Sequence, residues 1–305
     1  MKRLNYYTNK GICSEDIFSY FISTFRPSIQ MWDYFVNWDK VHFNLHKIKF
    51  KLNSLNSLIG NANIEKDFIK LIKKNPEIIK VFPFLLAVRE DKLKILKNYK
   101  SKDLSYMNFD FKKEKISHIE ARKYLEFFKS SGLINLFNEK KIKNLQDYML
   151  GIEVGLNANG RKNRGGKLME SIVEVFISEH CQKNSHLSYL SQATPKKIYK
   201  EWGIHVHYKK SARSFDFAIY SKLKNQLFLV ETNFYNGGGS KLKSVCGEFK
   251  ILFNELKKQN IQFIWITDGL GWKTAKRPLE ETFNNNDYIL NIDMLNNGVL
   301  NEVIQ

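Results

Sequence analysis

From the start of the chain to about Leu150, apolar side chains recur at intervals of three and four. Leu52, Leu55, Leu58 and Ile59 form one series, Phe68, Leu71 and Ile72 a second, Ile116 and Ile119 a third, and Tyr124, Phe127 and Phe128 a fourth. This spacing lines one face of an α-helix, so residues 1–150 are predicted to form a mostly helical region. Asn75-Pro76 and Phe82-Pro83 punctuate it, because a proline pushes the residue before it away from the helical conformation.

After Leu150 the texture changes, and residues 151–305 are predicted to form a second region. Asn157 to Gly166 is polar and interrupted by glycines, which reads as a loop. A helix is expected from Lys167 to Cys181, with Leu168, Ile172, Val175 and Phe176 on its buried stripe and Asn163, Lys167, Glu170 and Glu174 on the other face. Ser214–Tyr220 alternates as a strand does, and Gln226–Phe234 is a second strand. Gly237-Gly238-Gly239 ends it. A helix from Ser240 carries Leu242, Val245, Cys246, Phe249, Phe253 and Leu256, and Ile261–Ile266 returns to strand. This order predicts an α/β (α+β) core, a mixed central sheet flanked by helices, preceded by a helical N-terminal region.

The chain has 305 residues with 49 Lys+Arg against 31 Asp+Glu, a net +18 and a pI near 9.6. Residues 1–150 carry 28 basic and 16 acidic side chains, a net +12, and residues 151–305 a net +6. A polyanion such as nucleic acid is the first partner this suggests. The wealth of Lys and Asn is also what an A/T-rich genome would encode, and charge alone leaves both readings open. With 43% apolar residues the chain has material for a core, which excludes wholesale disorder. No apolar run is long enough to span a membrane and the first residues are too polar for a secretory signal, so a cytoplasmic protein with no membrane partner is expected. Cys13, Cys181 and Cys246 have neither disulfide nor zinc spacing, and the glycine run lacks a P-loop ending.

Joining the two strands through Lys222–Asn225 sets a register in which Asp216 faces Glu231. Directly opposed carboxylates repel unless one is protonated or a divalent cation sits between them, and hard oxygen ligands suit Mg²⁺. Asn233 points to the same strand face, and Glu170 lies on the polar side of the preceding helix, where it would close the cluster. The alternative is a pair of carboxylates on a solvated sheet face. His205-Val206-His207 offers two imidazoles, read here as part of an ordinary strand rather than a metal site. Trp32, Tyr34, Phe35 and Trp38 would stack bases or, the favoured reading, fill a core.

A helical Glu followed by Asp and by Glu-x-Asn on adjacent strands resembles the PD-(D/E)xK nuclease superfamily. Longer blocks are similar to the DpnII/MboI-type, GATC-cleaving restriction endonucleases. They are Asn56-Ser57-Leu58-Ile59-Gly60, Asn159-Gly160-Arg161-Lys162-Asn163-Arg164, Phe215-Asp216-Phe217, Glu231-Thr232-Asn233-Phe234-Tyr235, Gly239-Ser240-Lys241-Leu242 and Trp265 to Trp272. The resemblance implies a type II enzyme that hydrolyses duplex DNA at GATC with Mg²⁺. It further implies cutting before the G to leave 5′ overhangs, blockage by adenine methylation, and pairing with an adenine methyltransferase. Asp216, Glu231 and Glu170 would hold the metal, with Asn233 standing where the superfamily usually has lysine. Asn cannot act as a base, so its expected role is to position the attacking water.

Lys241 is either the missing cation or an ordinary helix-start lysine. Arg161, Lys162, Asn163 and Arg164 have the chemistry to read guanine and adenine edges or to hold phosphates, and Trp272 and Lys273 form a candidate second contact loop, the alternative being that Trp272 is packed. A palindromic site implies a homodimer. A structure-specific repair or recombination nuclease, or a basic DNA-binding module without catalysis, would share the same charge.

Overall fold

Two apolar clusters that share no member organise the chain. The computed structural model of the protein describes residues 4–97, 105–139, 141–207 and 213–304, apart from the side chains of Asp33 and Lys162. It divides into one unit formed by Trp32–Arg161 and another formed by Met1–Met31 together with Lys162–Gln305. The first 31 residues belong with the C-terminal unit and not with the helices that follow them, and the division between the units lies at Arg161 and Lys162.

The Trp32–Arg161 unit is built from helices α1 (Trp38–Asn56), α2 (Ile64–Lys74), α3 (His118–Ser130), α4 (Leu133–Asn138) and α5 (Leu145–Asn159). Its core holds the predicted Leu52, Leu55, Leu58, Phe68, Ile72, Tyr124, Phe127 and Phe128. Pro76 opens a 3-10 turn after α2 and Pro83 opens a short helix, so both prolines mark element boundaries. Ile119 is 82% exposed, because α3 turns Ala121, Tyr124, Leu125 and Phe128 inward instead. A two-stranded hairpin, β1 (Lys92–Leu96) and β2 (Tyr106–Asp110), has no counterpart in the helical expectation. The buried Glu153 on α5 is paired with Arg89 and accepts from Asn44 at 2.9 Å.

The expected core packing of the aromatic cluster is overturned. Trp32 is 89% and Trp38 52% exposed, and Phe35 is exposed as well. The buried positions of α1 are Val41, Ile48, Leu52 and Leu55, which leaves Trp38 on the outer side.

The other unit carries a five-stranded sheet in the order β3 (Leu187–Ala193), β4 (Phe215–Ser221), β5 (Gln226–Phe234), β6 (Gln262–Asp268) and β7 (Tyr288–Leu290). The β3, β4 and β5 neighbours are antiparallel, and β5, β6 and β7 are parallel. This is the mixed sheet predicted, with two further edge strands. Helix α6 (Arg161–Lys183) precedes it, and α7 (Ser240–Lys257) links β5 to β6 and buries all six residues expected from its spacing.

Asn157 to Gly166, expected as a loop, is helical: α5 runs to Asn159 and α6 starts at Arg161. Glycine in a helix costs about 1 kcal/mol relative to alanine, a local cost that this helix carries. Starting six residues earlier, α6 also turns a different stripe inward, Met169, Val173 and Ile177, and leaves Val175 exposed. His205 and His207 lie in an irregular segment without a strand partner. His207 is fixed there by two backbone hydrogen bonds with the Gln259 side chain, each 2.8 Å.

Asp268, at the end of β6, is fully buried and ties the N-terminal segment to the sheet. Its carboxylate accepts from the backbone N–H of Arg26 at 2.6 Å, Gly269 at 2.7 Å and Ile292 at 3.0 Å. Burial pushes its carboxyl up, and the three donors pull against that. Asn291 donates to Phe21 O and Thr24 Oγ1 beside it. Asp268→Ala is expected to leave buried donors without acceptors and to destabilise the sheet-bearing unit by about 3 kcal/mol or more, read as a drop in its thermal unfolding midpoint.

Candidate active site

The β4 and β5 ladder pairs Ser221 with Gln226, Tyr220 with Leu227, and so on to Phe217 with Val230. This is the register expected from the sequence, and one step further along it Asp216 comes opposite Glu231. Inward residues of these strands, Phe215, Phe217, Leu229 and Val230, are buried, so the carboxylates stand against an apolar sheet. Such a pair needs compensation.

Asp216 obtains it from one residue. Thr232 donates both its backbone N–H, at 2.7 Å, and its hydroxyl, at 2.9 Å, to Asp216 Oδ2. Burial nevertheless holds the Asp216 carboxyl above its ordinary range, opposed by these bonds and by Arg213. Glu231 is compensated by Arg213, a residue that sequence reasoning missed. Its Nε and Nη2 donate to Glu231 Oε1 at 3.2 and 2.8 Å, and its Nη1 reaches Glu248 Oε1 on α7 at 2.6 Å. Arg213 is 12% exposed and lies over the rings of Phe215 and Phe249. Burial first and the Asp216 charge second push the Glu231 carboxyl up to about 7, despite Arg213.

These hydrogen bonds engage Asp216 through Oδ2 and Glu231 through Oε1, so Oδ1 and Oε2 are the oxygens left to meet a cation. Mg²⁺ is commonly held by one or two carboxylates and completed by water and substrate phosphate, and this donor set fits it. Glu170, on α6, is less directly involved. It accepts from Gln192 Nε2 at 2.8 Å, and burial followed by the Asp216 charge raises its carboxyl. Gln192 holds this pose with a left-handed backbone, φ 47°, which a non-glycine residue seldom adopts. Among the described residues no three His, Cys, Asp or Glu side chains are grouped as a metal-binding set. Glu170 stands beside the pair as its electrostatic neighbour.

Asn233 lies two residues beyond Glu231, and its Oδ1 accepts from the indole N–H of Trp265 on β6 at 2.9 Å. An indole N–H can only donate, so the oxygen faces Trp265 and the amide NH₂ is turned away from it. Trp265 is itself fixed, fully buried and in edge contact with Phe249 and Trp272.

The remaining expected residues divide. Trp272 is fully buried and donates to Thr267 Oγ1 at 2.8 Å, which removes it from any surface contact loop, whereas Lys273 is exposed. Lys241 is exposed in the first turn of α7. Arg161 donates from Nε to the carbonyl of Phe35 at 3.2 Å, Asn163 is exposed and Arg164 half-buried, while the Lys162 side chain lies outside the described residues.

The raised Glu231 carboxyl has a consequence for stability without metal. Its pKa is about 7 in the fold against 4.5 in an ordinary environment, so the folded state holds a proton that the unfolded chain has lost. Stability contributed by the neutral form is full below the ordinary value and is lost as pH rises through about 7. In chelator, the thermal midpoint of the sheet-bearing unit should fall between pH 5 and 8 by more in the wild type than in Glu231→Gln. Equal falls would place the titrating group elsewhere.

The model of the family described as DpnII restriction endonuclease matches residues 17–302. The type II restriction enzyme MjaIII of Methanocaldococcus jannaschii is 45% identical over 290 residues, 94% of this chain and 99% of that one. LlaDCHI of Lactococcus lactis subsp. cremoris is 38% identical over 97% of both chains. DpnII of Streptococcus pneumoniae is 36% identical over 93% of this chain and 96% of that one. Both are type II restriction enzymes as well. With more than nine-tenths of its length matched in this way, the chain belongs to the DpnII family of type II restriction endonucleases.

Proposed function

We propose that this type II restriction endonuclease cleaves duplex DNA at GATC with Mg²⁺, on a PD-(D/E)xK-type site whose metal ligands are Asp216 and Glu231. The observation that carries the reading is the opposed carboxylate pair, each member with one oxygen engaged and one left over. The ion would supply charge neutralisation at the scissile phosphate and a lowered pKa for the attacking water. The protein's own residues set the geometry. Thr232 fixes the rotamer of Asp216, and Arg213, braced against Glu248, fixes that of Glu231. Asn233 presents an NH₂ group, which donates to the attacking water or to a phosphate oxygen and cannot accept the water's proton. Its role is positioning.

The GATC specificity, cutting before the G, blockage by adenine methylation, pairing with an adenine methyltransferase, a homodimer on the palindrome and a cytoplasmic location form the finer part of this reading, which rests on the family resemblance. Arg161, Lys162, Asn163, Arg164, Lys241 and Lys273 are the proposed DNA contacts, with Lys241 also the candidate for an added positive charge near the phosphate.

Digestion of unmethylated plasmid with and without Mg²⁺, followed by sequencing of the fragment ends, tests the reading. Mg²⁺-dependent fragments that all begin 5′-GATC are expected, and adenine-methylated plasmid should stay intact. Ends of unrelated sequence would refute the specificity. Asp216→Ala and Glu231→Ala should each abolish cleavage while GATC binding persists or tightens, because a charge that repels phosphate goes with the metal ligand. Full activity in both variants would move the site elsewhere. Trp265→Phe, which removes only the indole donor, should lower turnover by about 10-fold at unchanged DNA affinity, as loss of an outer hydrogen bond that orients a reacting group does.

A further inference from the structure

Helix α2 carries Lys66, Lys70 and Lys74 at successive intervals of four, with Lys73 beside them. All four are exposed, and with Ile69 and with His118 at the start of α3 they line a concavity of about 540 Å³ that no carboxylate lines. The acidic side chains nearby are engaged. Asp67 meets Lys70 at 3.5 Å and accepts from Asn61 at 3.0 Å, Glu65 is paired with Lys129, and Glu77 meets Lys51 at 3.3 Å.

The fold accounts for only part of this arrangement, since Asp67 offsets the charge of Lys70. Lys73 and Lys74 sit in the last turn, where they favour the helix dipole, but Lys66 sits in the first turn, where a positive charge opposes it. Like charges four residues apart repel on a helix, and the stripe contains two such pairs, Lys66 with Lys70 and Lys70 with Lys74. A stripe that weakens its own helix fits a polyanion. From Lys66 to Lys74 the helix rises about 12 Å, a length over which duplex DNA presents about seven negative charges.

We infer that the concave lysine face of α2, with His118 on α3, is a second DNA contact surface that binds backbone phosphates without reading sequence. The inference rests on duplex DNA being the substrate. The lysines are long and flexible, and among the described residues only Lys70 meets a carboxylate, Asp67, which suits charge attraction to phosphate and not bidentate base recognition.

The test compares wild type, K66Q/K70Q/K73Q/K74Q and the charge-preserving K66R/K70R/K73R/K74R for binding to duplexes of about 30 base pairs, with and without GATC, over a range of salt with Ca²⁺ in place of Mg²⁺. The glutamine variant should bind both duplexes more weakly and show a slope of log affinity against log salt flatter by about 2 or more, at about 0.9 for each phosphate no longer neutralised. The arginine variant should keep the wild-type slope. Turnover at saturating DNA with Mg²⁺ should be unchanged in all three, which also establishes that they fold. The pairs K66Q/K70Q and K73Q/K74Q should each show part of the loss.

A glutamine variant with wild-type affinity and slope overturns this surface and leaves the proposed cleavage reading intact. A loss confined to the GATC duplex overturns it as well, because phosphate contacts are blind to sequence. A wild type with no salt-dependent DNA binding overturns both readings.

Discussion

Two carboxylates facing each other at the open end of a hairpin impose the constraint from which much of the sheet-bearing unit follows. Asp216 and Glu231 repel across a mostly apolar sheet, and each is held by a partner that takes one of its oxygens. Those partners need supports of their own. Arg213 also donates to Glu248 on α7, and Thr232 is buried in β5 between Glu231 and Asn233. The compensation is incomplete, as the Glu231 carboxyl near 7 records. A buried acidic pair left short of positive charge takes up a proton or attracts a cation, and burial strengthens that attraction.

Much of this unit was legible in the sequence because short-range rules govern it. The hairpin register follows from a four-residue loop and period-two alternation, and the buried face of α7 from its spacing. What was not legible depends on residues meeting from far apart. Arg213 reaches partners 18 and 35 residues away, and the amide of Asn233 is oriented by an indole 32 residues further on. No local pattern marks Arg213 as anything but one more basic residue in a basic chain. The edge strand β7 has only three residues, too few for alternation to register.

The misreadings have physical causes too. Polar glycine-bearing sequence usually forms loops, but Asn157 to Gly166 is helical on both sides of a turn at Gly160, against that local preference. Trp272 follows a glycine as a surface loop residue often does. Here Gly269 and Gly271 instead let the backbone approach Tyr235 so closely that Gly271 N–H donates to its carbonyl at 2.8 Å, and the indole is drawn inward. Aromatic residues at helical spacing are ordinarily core, yet Trp32 and Trp38 stay in solvent.

The division of the chain has a consequence for the order in which it is made. Trp32–Arg161 is continuous, so everything its core needs has been synthesised before the first sheet strand begins. The segment before it waits far longer. Its anchors are Asp268 and Asn291, and its first helical turn, Asn5 and Tyr6, is bound to Glu302 and Asp293. Residues translated before the Trp32–Arg161 unit thus find their places after it, and the sheet-bearing unit closes only when Asn5–Arg26 and Asp268–Glu302 are present together.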